Sequence, residues 1–156
     1  FSVLIGALIF SNFVNRVGLP GALLELVTGY DLSPLMVLFV ILLIYIVLGC
    51  IFESLSMLLL TIPIFYPVVQ GLGYAGMSGE QMLVWFGIIS VVVTEISLIT
   101  PPVGLNVFVL SAVLPDVSTV TVFKGVTPFW CVDIIRLLIL VLAPGYVLLL
   151  PNLLYH

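Results

Sequence analysis

From Gln81 to Leu114 the sequence is apolar for long enough to cross a lipid bilayer, and Thr100-Pro101-Pro102-Val103-Gly104 stands inside that run. In an α-helix the N–H of residue i bonds the carbonyl of residue i−4. Proline has no N–H to give, so Pro101 and Pro102 leave the carbonyls of Ser97 and Leu98 without helical partners. Thr100 and Pro101 each precede a proline and are pushed away from helical angles. Gly104 then lets the backbone turn. A proline kink is the competing reading. The doubled proline, the glycine and the nearby Glu95 favour a true break, with a helix that stops near Ile99 and restarts near Leu105 or Asn106. Unpaired backbone in lipid is prohibitive unless it is buried in protein or lines a polar cavity. Broken helices at mid-membrane are how transporters build ion and substrate sites.

The rest of the composition sets the same solvent. Of 156 residues, 63% are hydrophobic and 6% charged, and the mean hydropathy is +1.48, which excludes an ordinary soluble domain. The apolar runs are long and continuous rather than short and alternating, which excludes an outer-membrane barrel. The expected class is all-α, a set of polytopic membrane helices. Three basic and seven acidic side chains form no basic patch, so nothing points to nucleic acid. Cys50 and Cys131 have neither metal-site nor CxxC spacing and read as buried thiols. Enzyme signatures are missing: the single histidine is His156, and there is no HExxH, Gly-x-Ser-x-Gly or P-loop.

Three units follow along the chain. Residues 1–34 read as the end of a membrane helix, a Gly18-Leu19-Pro20-Gly21 break, and a short interfacial arm over Ala22–Thr28. Asp31 or Ser33 caps the next helix, with Pro34 in its first turn. Residues 35–114 hold a hairpin (35–69) and the broken helix (81–114). From Leu35 to Gln70 the only charge is Glu53, and the stretch is too long for one crossing. A re-entrant hairpin fits better than two full crossings, because the joint at Gly49–Ser56 carries little to solvate. Ser54 and Ser56 suit the cap of the outgoing helix and Glu53 its positive end. Residues 115–156 read as an aromatic-rich interfacial connector, Asp116–Trp130, and a last crossing over Val132–Leu150 with Pro144-Gly145 inside it. The chain begins at Phe1 within apolar sequence and is expected to be part of a longer polypeptide.

Charged groups inside membrane segments are functional suspects. Here they are Glu53, Glu95, Asp133 and Arg136, of which the last two are three apart and read as a local ion pair. Glu95 either binds a cation or proton or holds an Arg or backbone amide; Glu53 is either a ligand or a helix cap. Thr100, Asn106, Ser54 and Ser56 offer neutral oxygens which, with free carbonyls, suit a hard monovalent cation such as Na⁺.

The order of motifs is specific. Gly49-x-x-x-Glu53-Ser54-Leu55-Ser56-Met57 is followed by Thr61-Ile62-Pro63-Ile64-Phe65-x-Pro67-Val68 and Trp85-Phe86-Gly87-Ile88. Then come Glu95-x-x-Leu98-Ile99-Thr100-Pro101-Pro102-Val103-Gly104-Leu105-Asn106 and Phe123-x-Gly125-x-x-Pro128-Phe129. Over residues 18–151 this resembles the large membrane subunit of TRAP transporters, the tripartite ATP-independent periplasmic transporters of DctM type. The resemblance implies one of two inverted repeats of an elevator-type secondary transporter, each with a re-entrant hairpin and a broken helix. It implies import of organic acids, such as C4-dicarboxylates or sialic acid, driven by Na⁺ across the bacterial cytoplasmic membrane. The implied partners are a small membrane permease subunit and a periplasmic substrate-binding protein. Carried onto this chain, the Na⁺ site would draw on Ser54, Ser56, Ser97, Leu98, Thr100, Pro101 and Gly104. Candidate substrate contacts are Glu53, Glu95, Thr100 and Asn106. Family members often carry Asp where this chain has Glu53, which is compatible with a cap. A related Na⁺-coupled carrier working without a binding protein is the alternative. A channel would show a repeated pore-lining polar stripe, whereas this chain concentrates its helix breakers in two places.

Overall fold

The computed structural model describes residues 1–101, 104–114 and 116–154. Pro102, Val103 and Pro115 of the sequence motifs, with Tyr155 and His156, lie outside them. Among the described residues the regular structure is eight helices: α1 Ser2–Val17, α2 Leu19–Gly29, α3 Pro34–Gly49, α4 Ser54–Leu72, α5 Gly79–Ser97, α6 Leu105–Val113, α7 Thr119–Leu142 and α8 Pro144–Leu154. By length and composition α4, α5 and α7 can each cross a membrane. The pair α1 and α2, bent by 52° at Gly18, passes the same test taken together.

Local chemistry explains most of the boundaries. Gly18 ends α1 at φ 74°, a left-handed cap that a side chain would strain. Ser33, not Asp31, caps α3, its Oγ accepting the Met36 N–H at 3.3 Å with Pro34 in the first turn. Ser78 and Gln81 start α5 with a reciprocal capping box. Pro63 and Pro67 do not interrupt α4, and Pro128 does not interrupt α7. With 16 residues, α3 rises about 24 Å, short of a ~30 Å hydrocarbon core.

The central helix is α5, which packs against α3, α4, α7 and α8. One side carries Met82, Trp85, Phe86, Ile89, Val93 and Ile96, all buried at helical spacing. Ser90, Thr94 and Ser97 are buried too. Thr94 Oγ1 donates to the Ser90 carbonyl at 2.7 Å, and Ser97 Oγ donates to that of Thr94. Such back-bonding satisfies the Thr94 and Ser97 hydroxyls within their own helix, whereas the Ser90 hydroxyl has no hydrogen-bond partner among the described residues. Small residues let neighbouring helices approach closely in a membrane, where the hydrophobic effect does not drive helix association. The hairpin arms are joined by Tyr45 of α3, fully buried, whose hydroxyl is 2.8 Å from Thr61 Oγ1 of α4.

The C-terminal region departs from the sequence expectation. Residues 119–130 are not a separate connector: α7 is one 24-residue helix running from a Ser118 cap to Leu142. The last crossing expected over Val132–Leu150 is interrupted, with Ala143 outside helical angles (φ −126°, ψ 68°) and α8 following. The cause is a carbonyl count. Pro144 cannot supply the N–H that the Leu140 carbonyl needs. Trp85 Nε1 of α5 donates to that carbonyl instead, at 2.9 Å. Tyr74, stacked on Trp85 with ring centroids 5.0 Å apart, donates its hydroxyl to the Val141 carbonyl at 3.1 Å. Two aromatic side chains therefore finish α7, and α8 packs on α5 as well, where Gln81 Nε2 donates to Asn152 Oδ1 at 3.2 Å.

Trp85→Phe should lower stability by about 2 kcal/mol, the cost of a buried carbonyl left unpaired. Adding Pro144→Ala should recover part of that loss, because residue 144 then has an N–H for Leu140. Melting temperatures of the three proteins in detergent check both outcomes.

Candidate functional site

The hairpin tip and the break in the α5–α6 line come together. The tip spans residues 50–53, between the end of α3 and the start of α4. Its N–H groups close the incoming helix: Cys50 N donates to the Ile46 carbonyl at 3.2 Å, and Phe52 N to that of Leu48 at 2.8 Å. Gly49 lies directly on Ser97, the last residue of α5. A Cβ on Gly49 would stand 2.6 Å from Ser97 Cβ, closer than packed atoms come. The absence of a side chain is thus what lets α3 reach the break. Cys50 Sγ lies 3.8 Å from both the Ser97 and the Thr100 carbonyls, where the thiol is a weak donor to either.

At the break itself, α5 ends at Ser97 and α6 starts at Leu105. The carbonyls expected to be left open each find a partner that the helix does not provide. The Ser97 carbonyl accepts the Thr100 N–H at 3.2 Å, a tightened last turn, and faces Cys50. The Leu98 carbonyl accepts the Asn106 N–H at 3.1 Å, a bond that reaches across the break into the first turn of α6. Gly104 has φ 52°, the left-handed region, and its carbonyl accepts from Val107 N at 2.8 Å and Phe108 N at 3.2 Å. Thr100, 8% exposed, donates its hydroxyl to the Ile96 carbonyl at 2.7 Å and accepts the indole N–H of Trp130 at 2.9 Å. Pro101 is exposed and lines a cavity of about 150 Å³ with Ile99, Phe123, Val126, Thr127 and Trp130.

Ser97, Leu98, Thr100, Pro101 and Gly104 are therefore one cluster, joined by the tip through Gly49 and Cys50. The remaining candidates lie differently. Glu53 is the N-cap of α4, the cap alternative read for it in the sequence, while Ser54 and Ser56, the other cap candidates, lie inside the helix: its carboxylate accepts from Leu55 N and Ser56 N, both at 2.9 Å, and from Ser56 Oγ at 3.0 Å. This self-contained cap occupies the Ser56 hydroxyl. Among the described residues no hydrogen bond links Ser54 or Ser56 to the break. Glu95 is exposed and turned toward α7, where Arg136 Nη2 lies 4.0 Å from it and 3.1 Å from Asp133 Oδ1. The arginine alternative for Glu95 is the one this geometry favours. Asn106 meets the break through its backbone, and its side chain is exposed.

Cys50, Trp130 and Phe123 were not read as site residues. Of the two cysteines expected to be buried thiols, Cys50 is buried and Cys131 is exposed, and Cys50 directly follows the glycine that ends α3. Trp130 belongs to the stretch expected to be an interfacial connector. An indole N–H is a donor with no acceptor capacity, and in an apolar segment it must find an oxygen. That requirement was the available signal.

Chemically, the cluster offers neutral oxygens: main-chain carbonyls of Ser97, Leu98 and Thr100 and the Thr100 hydroxyl, several with a lone pair that no donor takes among the described residues. Unwound carbonyls at helix ends are suited to Na⁺, which needs oxygen and tolerates the absence of a full negative charge. Gly49→Ala should push the tip away from Ser97 and destabilise the protein by about 1–3 kcal/mol, as overpacking does. Ser97→Gly in the same chain should remove the collision and restore the melting temperature, which is the measurement to make.

Comparison with known proteins gives a single family. The family model described as "Tripartite ATP-independent periplasmic transporter, DctM component" matches residues 1–146. The C4-dicarboxylate TRAP transporter large permease protein DctM of Pseudomonas aeruginosa is 34% identical over 96% of this chain and 33% of its own length. The sialic acid TRAP transporter large permease protein SiaM of Vibrio cholerae is 32% identical over 97% of this chain and 34% of its own. A C4-dicarboxylate DctM of Rhodobacter capsulatus is 34% identical over 97% and 33%. The chain thus spans about one third of the length of the curated relatives it matches. These relatives are transporter permeases and not enzymes. With the family model covering nearly all of it, and a helix break and hairpin tip packed together where the resemblance put them, the chain belongs to the DctM component family of tripartite ATP-independent periplasmic transporters.

Proposed function

We propose that this chain supplies one tip-and-break half of the transport site of a Na⁺-coupled TRAP permease in a bacterial cytoplasmic membrane. The observation that carries the reading is the seating of Gly49 and Cys50 on Ser97 and Thr100, which sets the end of a hairpin against interrupted backbone. A Na⁺ ion would be held by the carbonyls and the hydroxyl of that cluster, with the hairpin entering from one face of the membrane. Substrates are organic acids of the kind the relatives are named for, C4-dicarboxylates or sialic acid. A small membrane subunit and a periplasmic binding protein complete the system, as the tripartite family name describes. Movement of the hairpin together with α5, against which it is packed through Gly49, would carry the site across the membrane as in an elevator.

The test is uptake by the intact complex in proteoliposomes, with succinate and N-acetylneuraminic acid as probes. An inward Na⁺ gradient should raise initial uptake well above that measured with choline in place of Na⁺. Omitting the binding protein should abolish it. Uptake that is unchanged when choline replaces Na⁺ would sink the coupling; uptake that persists without the binding protein would show a different carrier type.

A further inference from the structure

We infer that Trp130 of α7 is a positioning residue for the broken helix, setting cation affinity through Thr100 without touching the cation. The inference rests on the Na⁺ reading of the break and adds to it a residue from a different helix. Thr100 has one hydroxyl proton and two acceptor positions. The proton goes to the Ile96 carbonyl at 2.7 Å, and the Trp130 indole N–H takes one acceptor position at 2.9 Å. The side chain is thereby held from two helices at once. Thr100 is also the last residue before Pro101, its N–H sits on the Ser97 carbonyl, and its own carbonyl faces Cys50 at the tip. Fixing the side chain fixes the direction of that carbonyl.

A second contact of the same helix supports the assignment. Phe123 is seven residues before Trp130, two turns along α7 and on the same face. Its ring lies so close to Gly104 that a Cβ there would come within 3.2 Å of it. Trp130 thus braces the α5 side of the break and Phe123 the α6 side, and α7 is a splint along both. The pairing of α6 with α7 agrees with this.

The test is a Na⁺ titration of the purified intact permease, read as the rise in melting temperature over choline at equal ionic strength. Wild type, Trp130→Phe, Trp130→His, Thr100→Val and the Thr100→Val/Trp130→Phe double variant are compared. Trp130→Phe should raise the Na⁺ concentration for half-maximal stabilisation ~5-fold, the equivalent of one net hydrogen bond. Trp130→His, whose Nε2–H can take the indole nitrogen's place, should restore it. The double variant should match Thr100→Val, because Trp130 acts through Thr100. Should Trp130→Phe not be recovered, Trp130→Leu, which also lacks a donor, carries the same expectation. An unchanged Na⁺ midpoint in Trp130→Phe, with or without a lower melting temperature in both salts, overturns the inference alone. A double variant weaker than Thr100→Val does the same. A wild-type protein that Na⁺ does not stabilise overturns the inference and the cation reading together.

Discussion

A carbonyl freed by a proline has nowhere to turn in hydrocarbon, and the architecture of this chain depends on how such carbonyls are answered. Each unsatisfied group in lipid costs several kcal/mol, so an interruption persists only where the protein supplies a donor. At the first break the donors are the Thr100 N–H, the Cys50 thiol and, from the far side, the Asn106 N–H. At the second they are the Trp85 indole and the Tyr74 hydroxyl. The two solutions differ in kind. The α7 end is closed by strong donors at ordinary distances and is a structural stop. The α5 end is closed in part by a thiol at 3.8 Å, a partner that a cation can displace at little cost. On the Na⁺ reading proposed above, that weak closure is what would leave the α5 end open to an ion.

Close approach is the companion requirement. The thiol can reach the carbonyls only because Gly49 carries no side chain and the facing residue is a serine whose hydroxyl is turned back onto its own helix. Tyr45 and Thr61 hold the two hairpin arms together one level away. The buried face of α5 thus combines large side chains, with Trp85 reaching α7 and Phe86 lying 6.3 Å from the Tyr66 ring of α4, and the small Ser97 on which the end of α3 is seated.

What could be read from the sequence follows from how local each cause is. The break at residues 100–104 is written in consecutive residues, and the structure ends α5 and begins α6 within two residues of the expected positions. The hairpin was legible for the same reason, with Gly49 closing one arm and the next arm starting at Ser54. The end of α7 was not, because its donors stand at positions 74 and 85, more than fifty residues away. Hydropathy alone joins Val132 to Leu150. Among the cap candidates Glu53, Ser54 and Ser56, the carboxylate takes the role because it accepts three donors at once, more than a hydroxyl can. Glu95 was ambiguous in sequence, and only the position of α7 shows Arg136 Nη2 4.0 Å from it.

The aromatic closure of α7 also has a consequence for the order of assembly. A membrane-insertion machinery that meets residues 132–150 by themselves sees one uninterrupted apolar segment, and until other helices arrive a helical continuation is the conformation that leaves fewest carbonyls bare. The bend at Ala143 becomes favourable only after α5 has docked and presented Trp85, with Tyr74 laid over it. The turn between α7 and α8 is therefore a product of helix association in the bilayer, completed after insertion.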